Sequence, residues 1–343
     1  MGQKIIALDA MGGDHGPSIT VAAAKLALDE IPDLELVLVG DETQLAAEFE
    51  NHNLSENRRV EIHHASQVVD MDDLPALALK KKKDSSMRVA INLVKEGRVQ
   101  ACVSAGNTGA LMATSKFVLK TIQGISRPAI CTTLPGINGH THMLDLGANL
   151  ECTPENLAEF ALMGSVLSQS VEGIKSPSIG LLNVGSESVK GSESIKRASQ
   201  LIDESRLNYY GFVEGDDIYK GTVNVIVTDG FVGNVSLKTA EGLAALVSHV
   251  LQNEFKRTWL TKLAAVCALP VLSTVRRKLD PRRYNGASLL GLNGIVVKSH
   301  GSADTSSFLN AIKIAALEIE NSVPQRISSA IASYFNQVEE AVT

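Results

Sequence analysis

Apolar and polar positions along this chain follow two periods. Short, almost unbroken apolar runs such as Lys4–Asp9 (KIIALD), Leu34–Val39 (LELVLV) and Val223–Thr228 (VNVIVT) alternate with longer amphipathic stretches. The short runs predict strands buried on both faces, and the amphipathic stretches predict helices. The strands expected are Lys4–Asp9, Leu34–Val39, Val60–His64, Ala101–Ser104, Thr141–Leu146, Ile179–Val184 and Val223–Thr228. The helices expected are Pro17–Ile31, Glu42–Asn53, Ser86–Gly97, Thr108–Ile122, Pro154–Val171, Glu193–Ser205, a segment after Thr228, Ser302–Glu320 and Pro324–Glu340. Pro17 stands early in its helix, where its fixed φ suits the first turn, and Gly97 suits a helix end. Strand–helix alternation of this kind predicts an α/β fold: a mostly parallel sheet covered by helices on both faces. No internal repeat or low-complexity linker interrupts it, so residues 1–343 are read as a single α/β catalytic domain.

One segment breaks the pattern. Residues 254–283 hold eight Lys and Arg against two acidic residues, a local charge of +6 on a chain whose net charge is −6. Within Glu254–Leu279, Phe255, Trp259, Leu263 and Val266 share one helical face. Beyond Pro270, Leu272, Val275 and Leu279 do the same. This predicts two short amphipathic helices meeting near Pro270, a projecting hairpin over 249–283. An anionic membrane surface, an acidic carrier protein and a dimer interface each suit such an element. The reading favoured is a dimer-associated projection whose tip, 254–279, touches membrane.

Composition narrows the class. With 44% hydrophobic and 20% charged residues and a mean hydropathy of +0.08, the chain reads as an ordinary globular protein. No apolar run approaches the roughly 20 residues of a membrane span, and the N-terminus has no secretory pattern. A cytoplasmic location is therefore expected. The uneven charge argues against general nucleic-acid binding. Cys102, Cys131, Cys152 and Cys267 are far apart, form no CxxC pair and read as packing thiols. None of the eight histidines has metal-ligand spacing; His140 and His142 are two apart, so they share one side of a strand, and metal binding is not expected there.

Candidate chemistry lies in the loops after the strands, because ligands of open α/β sheets bind beyond the carboxyl ends. AMGGDHGP (Ala10–Pro17), SAGNTGA (Ser104–Ala110), GANLECTP (Gly147–Pro154), GSESVKG (Gly185–Gly191) and DGFVGN (Asp229–Asn234) are rich in Gly, Asn, Ser and Asp. Gly allows close backbone approach, and helix-leading N–H groups attract anions. Lys190 supplies a point charge for phosphate or an oxyanion. Asn234 is a donor toward a phosphate or carbonyl oxygen, and His15 is a candidate proton carrier. Capping, turn and solvated roles stand beside each of these readings. Gly12, Gly13 and Gly16 do not fit GxGxxG, and no Walker motif is present, so no nucleotide cofactor is expected.

Read together, ALDAMGGDHGP, SSMRVA, SAGNTGA, RPAI, DLGAN, GLLNVGSESVKG, VEGDDI, DGFVGN, YNGASLLGLNG and VKSHG occur in one order over nearly the whole chain. In this the chain resembles the phosphate acyltransferases of bacterial phospholipid synthesis, the PlsX family. The resemblance implies a fold like that of isocitrate and isopropylmalate dehydrogenases and phosphotransacetylases, and a homodimer. It implies conversion of acyl-[acyl carrier protein] and inorganic phosphate to acyl phosphate, feeding a membrane-bound glycerol-3-phosphate acyltransferase. It also implies peripheral membrane association, with neither cofactor nor metal. The matching site assigns phosphate binding to Ser104, Gly106, Asn107, Thr108 and Gly109 with Lys190, oxyanion stabilisation to Asn234, and proton donation to His15 or Lys298. Asn183 and Gly233 lie in the same blocks and join the substrate-binding set. A phosphotransacetylase using coenzyme A, a decarboxylating dehydrogenase and a non-catalytic membrane scaffold remain as alternatives.

Overall fold

The computed structural model describes residues 2–279 and 284–342. Among these, eleven strands form one sheet in the order β3-β2-β1-β4-β11-β10-β5-β6-β9-β7-β8. The strands are β1 (Lys4–Asp9), β2 (Leu34–Gly40), β3 (Val60–His64), β4 (Ala101–Ser104), β5 (Ala129–Gly136), β6 (Gly139–Leu144), β7 (Ile179–Leu182), β8 (Tyr209–Val213), β9 (Val225–Val227), β10 (Ala287–Leu290) and β11 (Ile295–Lys298). The helices are α1 (Pro17–Glu30), α2 (Glu42–Asn51), α3 (Pro75–Lys81), α4 (Ser86–Lys95), α5 (Thr108–Leu119), α6 (Pro154–Glu172), α7 (Glu193–Glu204), α8 (Asp217–Lys220), α9 (Gly230–Lys256), α10 (Trp259–Leu279), α11 (Thr305–Glu320) and α12 (Val323–Val342).

The α/β class and the mostly parallel sheet are as expected, but the sheet is not parallel throughout. β3, β2, β1, β4 and β11 run parallel to one another, as do β6, β9, β7 and β8. Between the two runs, β10 is antiparallel to both β11 and β5, and β5 is antiparallel to β6. The two parallel halves therefore point in opposite directions. This corrects the expectation that all five loops leave one edge: those after β1 and β4 leave one edge, and those after β6, β7 and β9 leave the other.

The central strands are short, so the two edges stay close. Register places Val297, Ser288, Cys131 and Leu144 on one rung. Lys298 and Asp145 are thus two rungs apart, about 7 Å along the strands and about 14 Å across them.

Helices cover both faces. On one face, α1, α2 and α11 pack over the first half, and α6, α7 and α12 over the second. On the other, α3, α4 and α5 pack over the first half, with α8 and Leu237 of α9 over the second. Phe160 of α6 and Phe308 of α11 are fully enclosed, each worth about 2–3 kcal/mol of apolar burial.

Several boundaries differ from those expected, for local reasons. α5 stops at Leu119 because Lys120 turns to φ 62°. α4 stops before Gly97, which takes φ 71°. β7 ends at Leu182, where the Asn183 loop begins. β5, β8, β10 and β11 were not anticipated; β5 is antiparallel and carries Thr132, Thr133 and Pro135, and β10 and β11 have four residues each.

The hairpin also differs. α9 runs 27 residues and α10 21, with the turn at Arg257–Thr258 and not at Pro270. Thr258 and Thr261 exchange reciprocal backbone-to-hydroxyl bonds of 2.9 and 3.2 Å that start α10. Helix α10 continues through Pro270, whose carbonyl oxygen accepts from the Ser273 and Thr274 hydroxyls. Leu243, Leu246, Val247, Val250 and Leu251 of α9 and Trp259, Leu260, Leu263, Val266, Leu269 and Val271 of α10 are all exposed. The Arg276, Arg277 and Lys278 side chains and Arg282 and Arg283, which carry much of the expected basic charge, lie outside the described residues.

Candidate active site

β1, β4 and β11 lie side by side and bring Asp9, Ser104 and Lys298 onto one rung. Each is two residues beyond a member of the same core cluster (Ala7, Cys102, Val296), so all three face the α4–α5 side. All three are buried. Ser104 Oγ donates to Asp9 Oδ2 at 2.6 Å and accepts from the Gly106 N–H at 3.0 Å. Asp9 Oδ1 is buried without a hydrogen-bond partner. Lys298 Nζ donates to the carbonyl oxygen of Ala105 at 3.2 Å and to that of Ser299. Among the described residues it forms no ion pair.

Glycine locks the loops around this rung. A Cβ at Gly12 would stand 2.6 Å from Asp9 Oδ2 and 2.8 Å from the Gly106 nitrogen. The Asp14 N–H donates to Gly301 and the Ser299 N–H to Ser104, so the three strand-end loops are tied together. His15 lies in the first of these loops with its side chain exposed; its carbonyl accepts from Ser18 Oγ.

Electrostatics follow from burial. Desolvation pushes the Lys298 ammonium down to about 8, against the opposing pull of Asp9 and Asp14 and with a push from Lys238. Desolvation likewise raises the Asp9 carboxyl, although Ser104, Ser86 and backbone donors oppose it. Lys238 stands on α9, one turn beyond Asn234, so the second half of the sheet contributes to the field at Lys298.

The expected phosphate loop is resolved residue by residue. Asn107 caps α5, accepting from the Ala110 N–H at 3.0 Å, and its amide donates to the carbonyls of Met71 and Asp73. It is a positioning residue, not an open donor. Thr108 and Gly109 begin α5, where backbone N–H groups have no partner within the helix. Gly106 sits against Ser104, Asp9 and Met87.

The second half builds its own locus around Asp145. Asp145 Oδ1 accepts from the N–H groups of Ile130 and Ala148, and Oδ2 accepts from the backbone and side-chain nitrogens of Asn149. Burial still raises its carboxyl. Gly230 and Gly233 let α9 press onto it: a Cβ at Gly233 would overlap the Asp145 carbonyl oxygen. Asp229 caps α9 through the Val232 N–H at 2.8 Å. Asn234 is thereby held over Gly147 with its amide exposed.

Lys190 is not brought to either locus. It is half exposed and pairs with Glu187 at 2.7 Å. Asn183 donates to the carbonyls of Gly185 and Lys190, folding the loop onto itself. Asp9 and Asp145 were read only as a strand end and a block member. The signal that marks them is an Asp closing an apolar strand directly before a Gly-rich turn. Cys102 and Cys131 are buried, Cys152 is partly buried and Cys267 is exposed on α10; all four are free, and burial pushes the Cys152 thiol up to about 11. Burial raises the thiols of Cys102, Cys131 and Cys152, the opposite of a nucleophilic thiol.

Residues 4–326 match the family model described as fatty acid synthesis protein. The phosphate acyltransferase of Methylococcus capsulatus is 57% identical over 330 residues, covering 96% of this chain and 97% of that protein. The phosphate acyltransferase of Nitrosococcus oceani is 55% identical, covering 97% and 98%. In fold, a phosphotransacetylase from Streptococcus pyogenes superposes with a TM-score of 0.65 at 17% identity, covering 93% of this chain and 94% of that one. A 4-hydroxythreonine-4-phosphate dehydrogenase from Klebsiella pneumoniae gives 0.51 at 16% identity, covering 92% and 97%.

Proposed function

The chain belongs to the fatty acid synthesis protein family, among the phosphate acyltransferases, and we propose that it moves a fatty acyl group from acyl carrier protein onto inorganic phosphate. The observation that carries this reading is the Asp9–Ser104–Lys298 rung. A desolvated cation held by carbonyl oxygens, beside the open N–H groups that start α5, suits a small oxyanion.

The reaction needs two anionic reactants aligned and a tetrahedral oxyanion stabilised. Phosphate is already anionic at neutral pH, so it requires little general-base help. Phosphate would rest against Lys298 and the Thr108–Gly109 N–H groups, with Ser104, Gly106 and Asn107 fixing the loop. Asn234 would donate to the thioester oxygen as it becomes an oxyanion. Attack of a phosphate oxygen on the thioester carbon forms the C–O bond of the acyl phosphate, collapse of the tetrahedral oxyanion breaks the C–S bond, and the sulfur leaves as a thiolate. Lys298, with a pKa of about 8, is matched to a thiol of ordinary pKa about 8.5; it would protonate the thiolate and recover the proton that hydrogen phosphate gives up. His15, exposed in the loop after β1, would be the alternative proton donor. Lys190 and Asn183 would act only by movement of their loop toward the rung.

The exposed apolar faces of α9 and α10, with Lys256, Arg257 and Lys262, support contact with an anionic membrane surface. A homodimer built near this hairpin, and delivery of product to a membrane-bound glycerol-3-phosphate acyltransferase, complete the reading of an enzyme of phospholipid synthesis at the cytoplasmic membrane face.

The test is an assay with labelled phosphate and palmitoyl-carrier protein, palmitoyl-CoA or acetyl-CoA. Label should enter acyl phosphate with the carrier donor. Incorporation from acetyl-CoA alone would move the chain to phosphotransacetylase activity. With the carrier donor, Asn234→Ala should lower kcat about 100-fold while KM for phosphate changes little.

A further inference from the structure

β6 carries His140 and His142 on one side of the strand, the side of Leu144 that α6 covers, opposite the face of the Asp9–Ser104–Lys298 rung. α6 ends at Glu172 on that face. Nε2 of both imidazoles meets the same oxygen, Glu172 Oε1, at 2.6 Å for His142 and in direct contact for His140. The rings stand edge to face, 78° apart with centroids 5.7 Å from each other, so their nitrogens converge while their bodies diverge. Ligand atoms of all three residues lie within 4.8 Å of one another.

The far side of the cluster is also held. His142 Nδ1 is 3.1 Å from Thr133 Oγ1, and Ser168 Oγ donates to Glu172 Oε2 at 2.9 Å. Metal-ligating histidines and carboxylates are oriented in this way by hydrogen bonds to their outer atoms. The Thr133 hydroxyl can accept from Nδ1–H, the tautomer in which Nε2 is free to bind a cation. His142 is buried, Glu172 is largely buried and His140 is exposed, so one direction opens to solvent.

We propose that His140, His142 and Glu172 form a site for one divalent transition-metal ion of the Zn²⁺ class. Two imidazole nitrogens and one carboxylate oxygen would bind it, and water would take a fourth position on the His140 side. Tetrahedral ligands at about 2.0 Å from zinc stand about 3.3 Å apart, so the ion would enter by opening both contacts, the exposed His140 ring rotating and the Glu172 carboxylate shifting off His142. The ion would tie the start of β6 to the end of α6, away from the acyl-transfer rung.

The experiment is calorimetric titration of the metal-free full-length protein with Zn²⁺. One ion per chain is expected. His140→Ala should weaken binding at least about 100-fold, and Thr133→Val about 10-fold. His140→Ala alters an exposed ring and leaves the fold intact, so its result is readable. Co²⁺ in place of Zn²⁺ should give the visible bands of a nitrogen–oxygen site without a thiolate charge-transfer band, excluding the cysteines. Zn²⁺ binding unchanged in His140→Ala, or no one-ion binding by the wild type at micromolar concentrations, would overturn the site.

Discussion

Two lysines stand at strand ends in Gly- and Ser-rich surroundings, Lys298 at the end of β11 and Lys190 beyond β7. Lys298 is 8% exposed, held by carbonyl oxygens and without an ion pair among the described residues. Lys190 is half exposed and paired with Glu187. The loops look alike as sequence, but only one lysine is desolvated. A cation taken out of water without a paired carboxylate destabilises the fold, which makes a lysine so placed among strand-end loops a candidate for chemistry. An exposed pair contributes little either way. Environment, more than loop composition, separates the catalytic candidate from the solvated lysine.

The largest expected effect tests the buried side of this comparison. Lys298→Ala should lower kcat/KM about 1000-fold, roughly 4 kcal/mol of transition-state stabilisation. Wild-type activity should fall as pH rises through about 8, where the ammonium is lost. The stability sign is opposite. A lowered lysine pKa makes the folded state release its proton before the unfolded one, so the burial cost is present below pH 8 and fades between about 8 and 10.5. Lys298→Met should therefore be inactive yet melt no lower than wild type at pH 7. Kinetics and thermal melts across pH 6–10 check both, and a rate within tenfold of wild type for Lys298→Ala would erase the distinction between the two lysines.

A second buried group sharpens the point. Glu318 of α11 is fully buried on the opposite face of the sheet, bonded to Ser288, and desolvation pushes its carboxyl up to about 7. Between its ordinary value of 4.5 and about 7, the unfolded chain releases this proton while the folded chain keeps it. Wild-type stability contributed here thus falls as pH rises through that window and is level above it. Glu318→Gln should be about 2 kcal/mol more stable at pH 8 and no different at pH 4, with turnover unchanged. Denaturant titrations at the two pH values decide it: an equal difference at both would remove the titration as its cause. Lys298 and Glu318 are both desolvated, but only Lys298 lies among strand-end loops that can reach a substrate.

The first half of the fold was largely legible, because its strands are parallel and uniformly apolar. β1, β2, β4 and α1 follow from periodicity, with Pro17 in the first turn of α1. The central insert was not legible: β10 and β11 are four-residue strands, and antiparallel β5 carries threonines and proline, so none gives a sustained period. Missing them hid the reversal of strand direction, and with it the split of the five loops between two edges. Ser104, Gly106 and Lys298 enter the sequence reading only as members of separate motif blocks, with Lys190 set beside the Ser104–Gly109 loop; that Lys298 shares a rung with Ser104 was not legible, because β11 gives no sustained period. The roles of Asp9 and Asp145 lie in bonds to residues distant in the chain, the Ser104 hydroxyl for Asp9 and the Ile130 N–H for Asp145, which no local pattern shows. The hairpin turn was placed at Pro270 by its residue type, whereas the reciprocal Thr258–Thr261 bonds set it.

The smallest effect is expected at Lys190, and it tests the exposed side of the comparison. Removing one partner of an exposed pair changes stability little, since water replaces the lost contact. Glu187 is itself exposed and keeps its hydration when Lys190 is shortened. The loop retains its form because Asn183 holds the Gly185 and Lys190 carbonyls, not the ammonium. Lys190→Ala should therefore change kcat and KM for phosphate less than about threefold and leave the melting temperature unmoved. If KM for phosphate instead rises tenfold or more with kcat preserved, the loop closes onto the substrate and Lys190 meets phosphate there. Glu187→Gln separates the two cases further. It frees the ammonium, so it should lower KM for phosphate if the loop closes and leave it unchanged if Lys190 stays in solvent.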